Sequence, residues 1–209
     1  MTQNPDNSRK ILAVTAVAAP GRTELSAQLG EILAAAGVGK MQLRILSDGA
    51  VWQACEYVFD GGGEGVVEAV RAAAKGLEAD VCMLPAANRR KRLLISDMDS
   101  TIIGQECLDE LADFAGLKAQ VSAITERAMR GELDFEGALT TRVAMLKGLE
   151  LPALEAAYRE RITLNAGART LTATMKAHGA HAVLVSGGFT FFTSRVADMS
   201  GFDAHRGNT

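Results

Sequence analysis

Two aspartates follow a short apolar run near the middle of the chain. In the segment LLISDMDSTII, residues 93–103, Asp97 and Asp99 come directly after residues that are typical of a buried strand. Residues two apart in a strand point the same way, so both carboxylates can project together from its carboxyl end. Ligands bind at that end in open α/β sheets, and clustered carboxylates suit Mg²⁺, which in turn attracts phosphate. The alternative is a pair of turn-forming residues that cap the next helix.

A second strand end repeats this arrangement later in the chain. In VLVSGGFT, residues 183–190, a buried strand is predicted to end at Ser186, and Gly187 and Gly188 follow before a helix. Backbone amides and a hydroxyl at a strand-to-helix turn form an anion site. The Ser-Gly-Gly sequence alone is more often only a tight turn. Combined with the two aspartates, it predicts a site for a phosphorylated substrate.

The residues before this site alternate between strand and helix patterns. Periodicity predicts strands over 10–17, 41–45, 51–59 and 80–84, and amphipathic helices over 25–36 and 66–77. The order βαββαβ is the ferredoxin-like plan. Its architecture resembles that of ACT-type domains, which often sense amino acids. Because no ligand motif is present, a packing or dimerisation module without a ligand is an equal alternative.

A basic run, NRRKR, marks the predicted boundary between two domains. We predict an ACT-like domain over 1–87, a linker over 88–92 and a second domain over 93–209. Such a run can bind nucleic acid, but five residues without interleaved aromatics indicate a solvated linker. The second domain shows strands at 93–96 and 182–186 with helical patterns between them. This pattern predicts an α/β core whose first crossover carries a helical cap, at about residues 105–165.

The motifs of the second domain resemble those of a known family. DMDSTII and LVSGGF resemble the first two signatures of the haloacid dehalogenase superfamily of phosphotransferases. GQECLDELA, MRGELDFEGALTTRVAMLKGL and GFDAHRGN resemble the phosphoserine phosphatases of that superfamily, some of which carry an ACT-like domain before the catalytic core. The resemblance is close from Leu93 onward and only architectural before it. It implies Mg²⁺-dependent hydrolysis of O-phospho-L-serine to L-serine and phosphate, the last step of serine biosynthesis.

The resemblance also implies roles for individual residues of the phosphate site. Asp97 would be the nucleophile that forms an aspartyl-phosphate, and Asp99 would be the general acid and then the general base. Mg²⁺ would be held by Asp97 and by the backbone carbonyl of Asp99. Ser186 and Gly187 would bind the phosphoryl oxygens.

Four further residues match the substrate-binding residues of the family. Glu106 would face the ammonium group of serine, and the guanidinium of Arg142 would bind its carboxylate through two parallel hydrogen bonds. Without the family, the better interpretation of Glu106 is a charge in the first turn of a helix, and that of Arg142 is a solvated helix residue. Met129 and Phe135 match the apolar lining of the closed cap, and a place in a helical core is the alternative.

The chain also departs from the family pattern. The family requires a lysine in a third signature and an acidic pair in a fourth, and neither follows Ser186; Lys176 precedes the second motif. We therefore expect a fragment of a longer polypeptide, or a short product that cannot catalyse, and no measurable phosphatase activity from these 209 residues alone. The core should contain only two strands of its sheet, so strand 182–186 should be left without neighbours on one edge.

Composition limits the classes of partner and compartment. The chain is 48% hydrophobic with a net charge of −3, and it contains three scattered cysteines. The net charge predicts no nucleic-acid partner, the lack of a long apolar run predicts no membrane partner, and the cysteines favour the reducing cytoplasm. A small-molecule substrate is what the family resemblance implies. The stretch ILAVTAVAA after two basic residues is interpreted as a first strand, with a signal peptide as the alternative. The first domain is a candidate surface for homodimer formation.

Two other functions are compatible with the same residues. One is a phosphatase of the same superfamily that acts on another small phosphomonoester. The other is an amino-acid-binding regulatory domain joined to a catalytically inactive phosphatase remnant.

Overall fold

The computed structural model describes residues 11–48, 52–60 and 64–209, and the chain divides into two compact units between Arg89 and Arg90. This division falls inside the basic run NRRKR. The predicted strand and turn residues Lys10, Gly49 and Val51 lie outside the described residues.

The described residues of the first unit form four strands and two helices between residues 11 and 85. In chain order they are β1 (Ile11–Ala18), α1 (Leu25–Ala35), β2 (Met41–Ser47), β3 (Gln53–Asp60), α2 (Glu64–Ala74) and β4 (Asp80–Pro85). The strands form one antiparallel sheet in the order β2-β3-β1-β4. The order of the elements is the one that hydrophobic periodicity predicts, although β2 and β4 contain no buried residue.

Helix α1 and strand β1 form the centre of the core of this unit. Leu25, Leu29 and Leu33 recur every four residues along α1, so they lie on one face of the helix and are at most 2% exposed. They belong to one buried cluster with Val14 and Ala16 of β1, which point to one side of the sheet. Burial of each leucine contributes about 1.5 to 3 kcal/mol, so this face fixes the helix on the sheet.

The opposite side of the same sheet carries a buried carboxylate. Glu56 of β3 points away from this core, because its neighbours Cys55 and Tyr57 belong to it. Glu56 is nevertheless only 3% exposed. Its Oε2 accepts hydrogen bonds from Nη1 of Arg89 and from the hydroxyl of Thr15, the latter at 3.3 Å. Nη1 of Arg44 lies 3.7 Å from Oε1. The charge of Glu56 is therefore neutralised by side chains of its own unit.

The second unit contains three strands and six helices. In chain order they are β5 (Leu93–Ser96), α3 (Cys107–Phe114), α4 (Lys118–Met129), α5 (Phe135–Met145), α6 (Leu151–Arg161), α7 (Ala168–Ala177), β6 (His181–Phe189), α8 (Thr190–Ser200) and β7 (Ala204–Asn208). Helices α3 to α6 form the predicted helical segment between the first two strands. Across the part of the chain that the structure describes, no helix is long and apolar enough to cross a membrane.

The sheet of this unit is parallel, with the order β5-β6-β7. The expectation of only two core strands is wrong, because β7 pairs with β6 and makes it the central strand. The sequence of β7, AHRGN, contains a single apolar residue, so an apolar pattern could not reveal it. Helices α7 and α8 pack against β6. In β6 the side chains of Ala182 and Leu184 are buried, whereas Val185 is 41% exposed. Ile95 of the paired strand β5 is 62% exposed.

Candidate active site

Asp97 and Asp99 lie in a tight turn at the carboxyl end of β5. Met98 between them is fully buried, whereas both aspartates line the same cavity. The carbonyl of Met98 accepts hydrogen bonds from the amides of Ile102 at 2.9 Å and Ile103 at 3.1 Å, which close the turn. The side chains of Ile102 and Ile103 are buried in the core of the unit. The return of apolar residues after the aspartates therefore anchors the turn that presents them.

Hydrogen bonds from two different segments orient the carboxylate of Asp99. The amide of Cys107 donates to Oδ1 at 2.9 Å, and the hydroxyl of Ser186 donates to Oδ2 at 3.1 Å. Asp97 has a local partner instead, because its Oδ1 accepts from the amide of Met98 at 2.7 Å. Burial raises the pKa of the Cys107 thiol, so this side chain stays protonated and is a poor nucleophile. The two strand ends predicted from the sequence thus meet through Asp99 and Ser186.

The glycines after Ser186 allow other groups to approach closely. A Cβ atom on Gly187 would lie 2.9 Å from Cζ of Phe135, so the ring can occupy its position only over a glycine. A Cβ atom on Gly188 would lie 3.1 Å from Oγ of Ser186 and 3.4 Å from Oδ2 of Asp99. The amide of Gly188 donates to Oγ of Ser186 at 2.9 Å. Because neither glycine has a side chain, Phe135, Ser186 and Asp99 can all lie close to this part of the backbone.

Glu106 lies at the start of α3 and turns its carboxylate into the cavity. It occupies the N-cap position without making a capping hydrogen bond, and its Oε1 accepts a hydrogen bond from the hydroxyl of Ser100 at 2.7 Å. Ser100 has a positive φ of 49°, which is rare for serine and sharpens the turn. Burial raises the pKa of the Glu106 carboxyl, and the charges of Asp99 and Asp109 raise it further. The Ser100 hydrogen bond and the charge of Arg142 act in the opposite direction.

Arg142 is a buried guanidinium on α5. It is 8% exposed, so the alternative of a solvated helix residue is wrong. Its Nη1 donates to Oγ1 of Thr125 at 3.1 Å, and its Nε donates to the carbonyl of Ala138 at 3.3 Å. Among the described residues, no carboxylate oxygen lies within 4.0 Å of its nitrogens. A buried cation without an acidic partner is costly, and an anionic ligand would compensate for it.

Met129 and Phe135 lie at the mouth of the cavity. They are 71% and 66% exposed, so the alternative that they belong to a helical core is wrong. All eight residues that the sequence predicts for the site line one cavity of about 180 Å³. The eight are Asp97, Asp99, Glu106, Met129, Phe135, Arg142, Ser186 and Gly187. The cavity therefore combines two carboxylates at a strand end with charged and apolar groups from the helical segment.

Sequence reasoning missed several residues of the site. Cys107, Leu108, Leu139 and Phe189 also line the cavity. Gly188 lines it too, and the sequence places it in the predicted anion-binding turn without identifying it as a site residue. No spacing pattern in the sequence links the amide of Cys107 to Asp99. Its position one residue after Glu106 is the only signal in the sequence.

The two aspartates are also the candidate ligands for a metal ion. Within the described ranges, no group of three or more His, Cys, Asp or Glu side chains could hold a metal ion. Mg²⁺, however, is usually bound by one or two carboxylates, with water and substrate phosphate as the other ligands. Asp97 and Asp99 provide hard oxygen atoms of this kind beside one cavity. The donor set therefore fits Mg²⁺.

Several known phosphatases are similar in sequence to this chain. A phosphoserine phosphatase from Polaromonas sp. is 52% identical over 118 residues, which cover 56% of this chain and 50% of that protein. A phosphoserine phosphatase from Archaeoglobus fulgidus is 44% identical over 158 residues, which cover 73% of this chain and 46% of that protein. The chain thus spans about half the length of these curated relatives.

Among solved structures, a phospho-aspartyl intermediate analogue of phosphoserine phosphatase has a TM-score of 0.53 and 37% sequence identity. The alignment covers 56% of each chain. The sequence pattern of the haloacid dehalogenase-like hydrolases matches residues 94–209, which is more than half of the chain. The matched region contains every residue of the cavity. The chain therefore belongs to the haloacid dehalogenase-like hydrolase family.

Proposed function

We propose that this chain belongs to a Mg²⁺-dependent phosphoserine phosphatase, which hydrolyses O-phospho-L-serine to L-serine and phosphate in serine biosynthesis. The observation that carries the proposal is the charge arrangement of the cavity. Asp97 and Asp99 share it with Arg142, which has no acidic partner among the described residues, and with Glu106. Phosphoserine has a carboxylate that is complementary to Arg142 and an ammonium group that is complementary to Glu106. Its phosphate would be bound by Ser186, the amide of Gly187 and Mg²⁺, and it would lie beside Asp97 and Asp99.

In the first step, a carboxylate oxygen of Asp97 attacks phosphorus as the bond to the serine oxygen breaks. The products are an aspartyl-phosphate and serine, whose oxygen receives a proton from the carboxyl group of Asp99. The hydrogen bonds from Cys107 and Ser186 to Asp99 restrict its rotation, so its oxygens keep one orientation beside the leaving group.

In the second step, water attacks the phosphorus of the aspartyl-phosphate. The carboxylate of Asp99 accepts a proton from that water, and the bond between phosphorus and Asp97 breaks to release inorganic phosphate. Ser186 and the amide of Gly187 would bind phosphoryl oxygens in both steps. Bound Mg²⁺, held by Asp97 and the backbone carbonyl of Asp99, would supply positive charge that offsets the charge of phosphate and carboxylates.

The remaining cavity residues would recognise the amino-acid part of the substrate. The guanidinium of Arg142 suits a carboxylate, because two of its parallel N–H groups match the two oxygens. The carboxylate of Glu106 would bind the ammonium group. Met129 and Phe135 would cover the apolar part of the substrate and exclude water when the helical segment closes as a cap.

For the first unit, we propose a ferredoxin-like, ACT-like module that serves in amino-acid sensing or in homodimer formation. Its βαββαβ order and its antiparallel sheet support this assignment.

We also propose that the second unit is a phosphatase core with a helical cap at about residues 105–165. The described cavity contains no lysine side chain that could offset two aspartates and a phosphate. A polypeptide of residues 1–209 is therefore expected to have little activity by itself.

Phosphate release by the complete gene product tests the substrate. The protein would be assayed with Mg²⁺ on O-phospho-L-serine, O-phospho-L-threonine, O-phosphohomoserine and phosphoethanolamine. We expect the highest kcat/KM for phosphoserine, since the other substrates lengthen or branch the chain or lack the carboxylate. Similar values for all four substrates would refute the assignment to phosphoserine and favour another small phosphomonoester.

A further inference from the structure

A network of hydrogen-bonded polar side chains outside the cavity holds the guanidinium of Arg142. Nη1 of Arg142 donates to Oγ1 of Thr125, and this oxygen lies 3.1 Å from Oδ1 of Asp109 on α3. The hydroxyl of Ser122 donates to the other oxygen of Asp109 at 2.7 Å. Thr125 and Arg142 are 7% and 8% exposed, so water has little access to the contact between them.

The direction of these hydrogen bonds follows from the chemistry of the groups. A guanidinium can only donate, so Oγ1 of Thr125 accepts from Arg142. Its single proton can go to Asp109 or to the carbonyl of Val121, at 3.1 and 3.2 Å. The carboxylate is the stronger acceptor because it is charged. Donation to Asp109 polarises the hydroxyl and strengthens its bond to Arg142.

This indirect contact differs from an ion pair in its consequence for a ligand. A carboxylate in direct contact would occupy the parallel N–H groups of Arg142 and compensate for its charge. The hydroxyl of Thr125 occupies one N–H group and leaves the formal charge in place. Across the described part of the chain, Nη2 of Arg142 makes no hydrogen bond. The guanidinium is thereby oriented while its charge stays available to the cavity.

We propose that Thr125, supported by Asp109, is a positioning residue that sets the preference of this site for substrates with a carboxylate. The inference rests on the proposed function, because it takes the carboxylate of phosphoserine as the ligand of Arg142. Neither Thr125 nor Asp109 lines the cavity, so both act through Arg142.

Equilibrium binding tests the proposal without turnover. In an Asp97→Asn background with Mg²⁺, calorimetry would compare the affinities for O-phospho-L-serine and for phosphoethanolamine, which lacks the carboxylate. Thr125→Val removes the hydroxyl and keeps the shape, and it should weaken phosphoserine binding roughly tenfold while changing phosphoethanolamine binding less than about twofold. Thr125→Ser keeps the hydroxyl and should preserve the preference. Asp109→Asn should give a smaller loss, because its amide oxygen is a weaker acceptor.

Ser122→Ala is the matched control, because Ser122 of α4 also donates to Asp109 but, among the described residues, makes no hydrogen bond with Arg142. It should keep the preference for phosphoserine. If Thr125→Val does not fold, as judged by circular dichroism, Asp109→Asn decides in its place. A preference that survives the loss of the hydroxyl, or that Ser122→Ala abolishes equally, overturns the positioning role and leaves the proposed function intact. If the protein with Thr125 shows no preference for phosphoserine, the carboxylate assignment of Arg142 fails, and this inference fails with it.

Discussion

Glu56 in the first unit is buried and Glu106 in the second is partly buried, and the groups around them affect the negative charge differently. Glu56 is hydrogen-bonded to Arg89, and this contact lowers the pKa of its carboxyl. Glu106 has only the hydroxyl of Ser100 as a hydrogen-bond partner within the described ranges, and burial raises its pKa. Its nearest cation in the cavity, Arg142, is held by Thr125 rather than by a carboxylate.

The presence or absence of an oppositely charged partner distinguishes charges that stabilise the fold from charges that can bind a ligand. A buried carboxylate with an arginine partner is satisfied within the folded chain, and removal of either partner leaves the other uncompensated. A buried charge without an opposite charge lowers stability until a ligand supplies one. By this criterion Glu56 is a structural residue, and the unpaired charges around Glu106 indicate a binding site.

The largest expected effect is the loss of turnover in Asp97→Asn. An amide oxygen is a far poorer nucleophile than a carboxylate, so kcat for phosphoserine should fall at least about a thousandfold. This fall corresponds to an activation free energy that is higher by about 4 kcal/mol or more. Stability should not fall, because the change removes one of two neighbouring negative charges. Steady-state kinetics and urea unfolding would measure the two effects. Asp198→Asn, at an exposed position of α8, is the control and should change neither. A phosphoenzyme trapped in Asp97→Asn would show that another residue is the nucleophile.

The second effect concerns the unpaired guanidinium. Arg142→Lys replaces a planar fork by a point charge. The transition-state stabilisation measured by kcat/KM for phosphoserine should therefore fall by about 1.5 to 3 kcal/mol if the charged hydrogen bonds are lost. The loss for phosphoethanolamine should be much smaller, since that substrate has no carboxylate. Arg159→Lys, at an exposed position of α6, is the matched control. Equal losses on both substrates would place Arg142 outside the carboxylate site.

The third effect should appear in stability and not in activity. Glu56→Gln leaves Arg89 without its charged partner, and because the Arg89 side chain is 27% exposed the free energy of unfolding should fall by only about 1 to 3 kcal/mol. The control is Glu78→Gln, whose partner Arg22 lies 2.6 Å away but whose side chain is 79% exposed, and it should cost less than about 1 kcal/mol. Urea unfolding would measure both. A change in phosphoserine kinetics in Glu56→Gln would contradict the purely structural role.

Much of this organisation could be predicted from the sequence, and the exceptions have physical reasons. Elements with regular apolar spacing, such as α1 and β1, were predicted because burial of one face determines their period. Strand β7 was missed because its pairing with β6 depends on backbone hydrogen bonds and not on apolar side chains. Asp97 and Asp99 could be identified because they follow a strand. The support of Arg142 by Thr125 could not, because it joins side chains that only the packing of α4 against α5 brings together.

The smallest expected effect is the dependence of stability on pH, where the two glutamates should act with opposite signs. The folded pKa of Glu56 lies below the ordinary value of 4.5, so its contribution is complete above 4.5 and is lost as the pH falls through the folded pKa. The folded pKa of Glu106 lies above 4.5, so the folded state binds the extra proton, and stability rises as the pH falls from that raised pKa towards 4.5.

Urea unfolding without substrate, between about pH 3 and pH 7, would separate the two contributions in variants that cannot titrate. Glu56→Gln should remove part of the loss of stability below 4.5, and Glu106→Gln should remove part of the gain above it. In the enzyme with Glu106, kcat/KM for phosphoserine should fall as the pH drops through the raised pKa, because a protonated carboxyl no longer attracts the substrate ammonium. This acid limb should shrink in Glu106→Gln and stay unchanged in Glu56→Gln. The comparison between the two glutamates fails if both variants change the same pH range of stability.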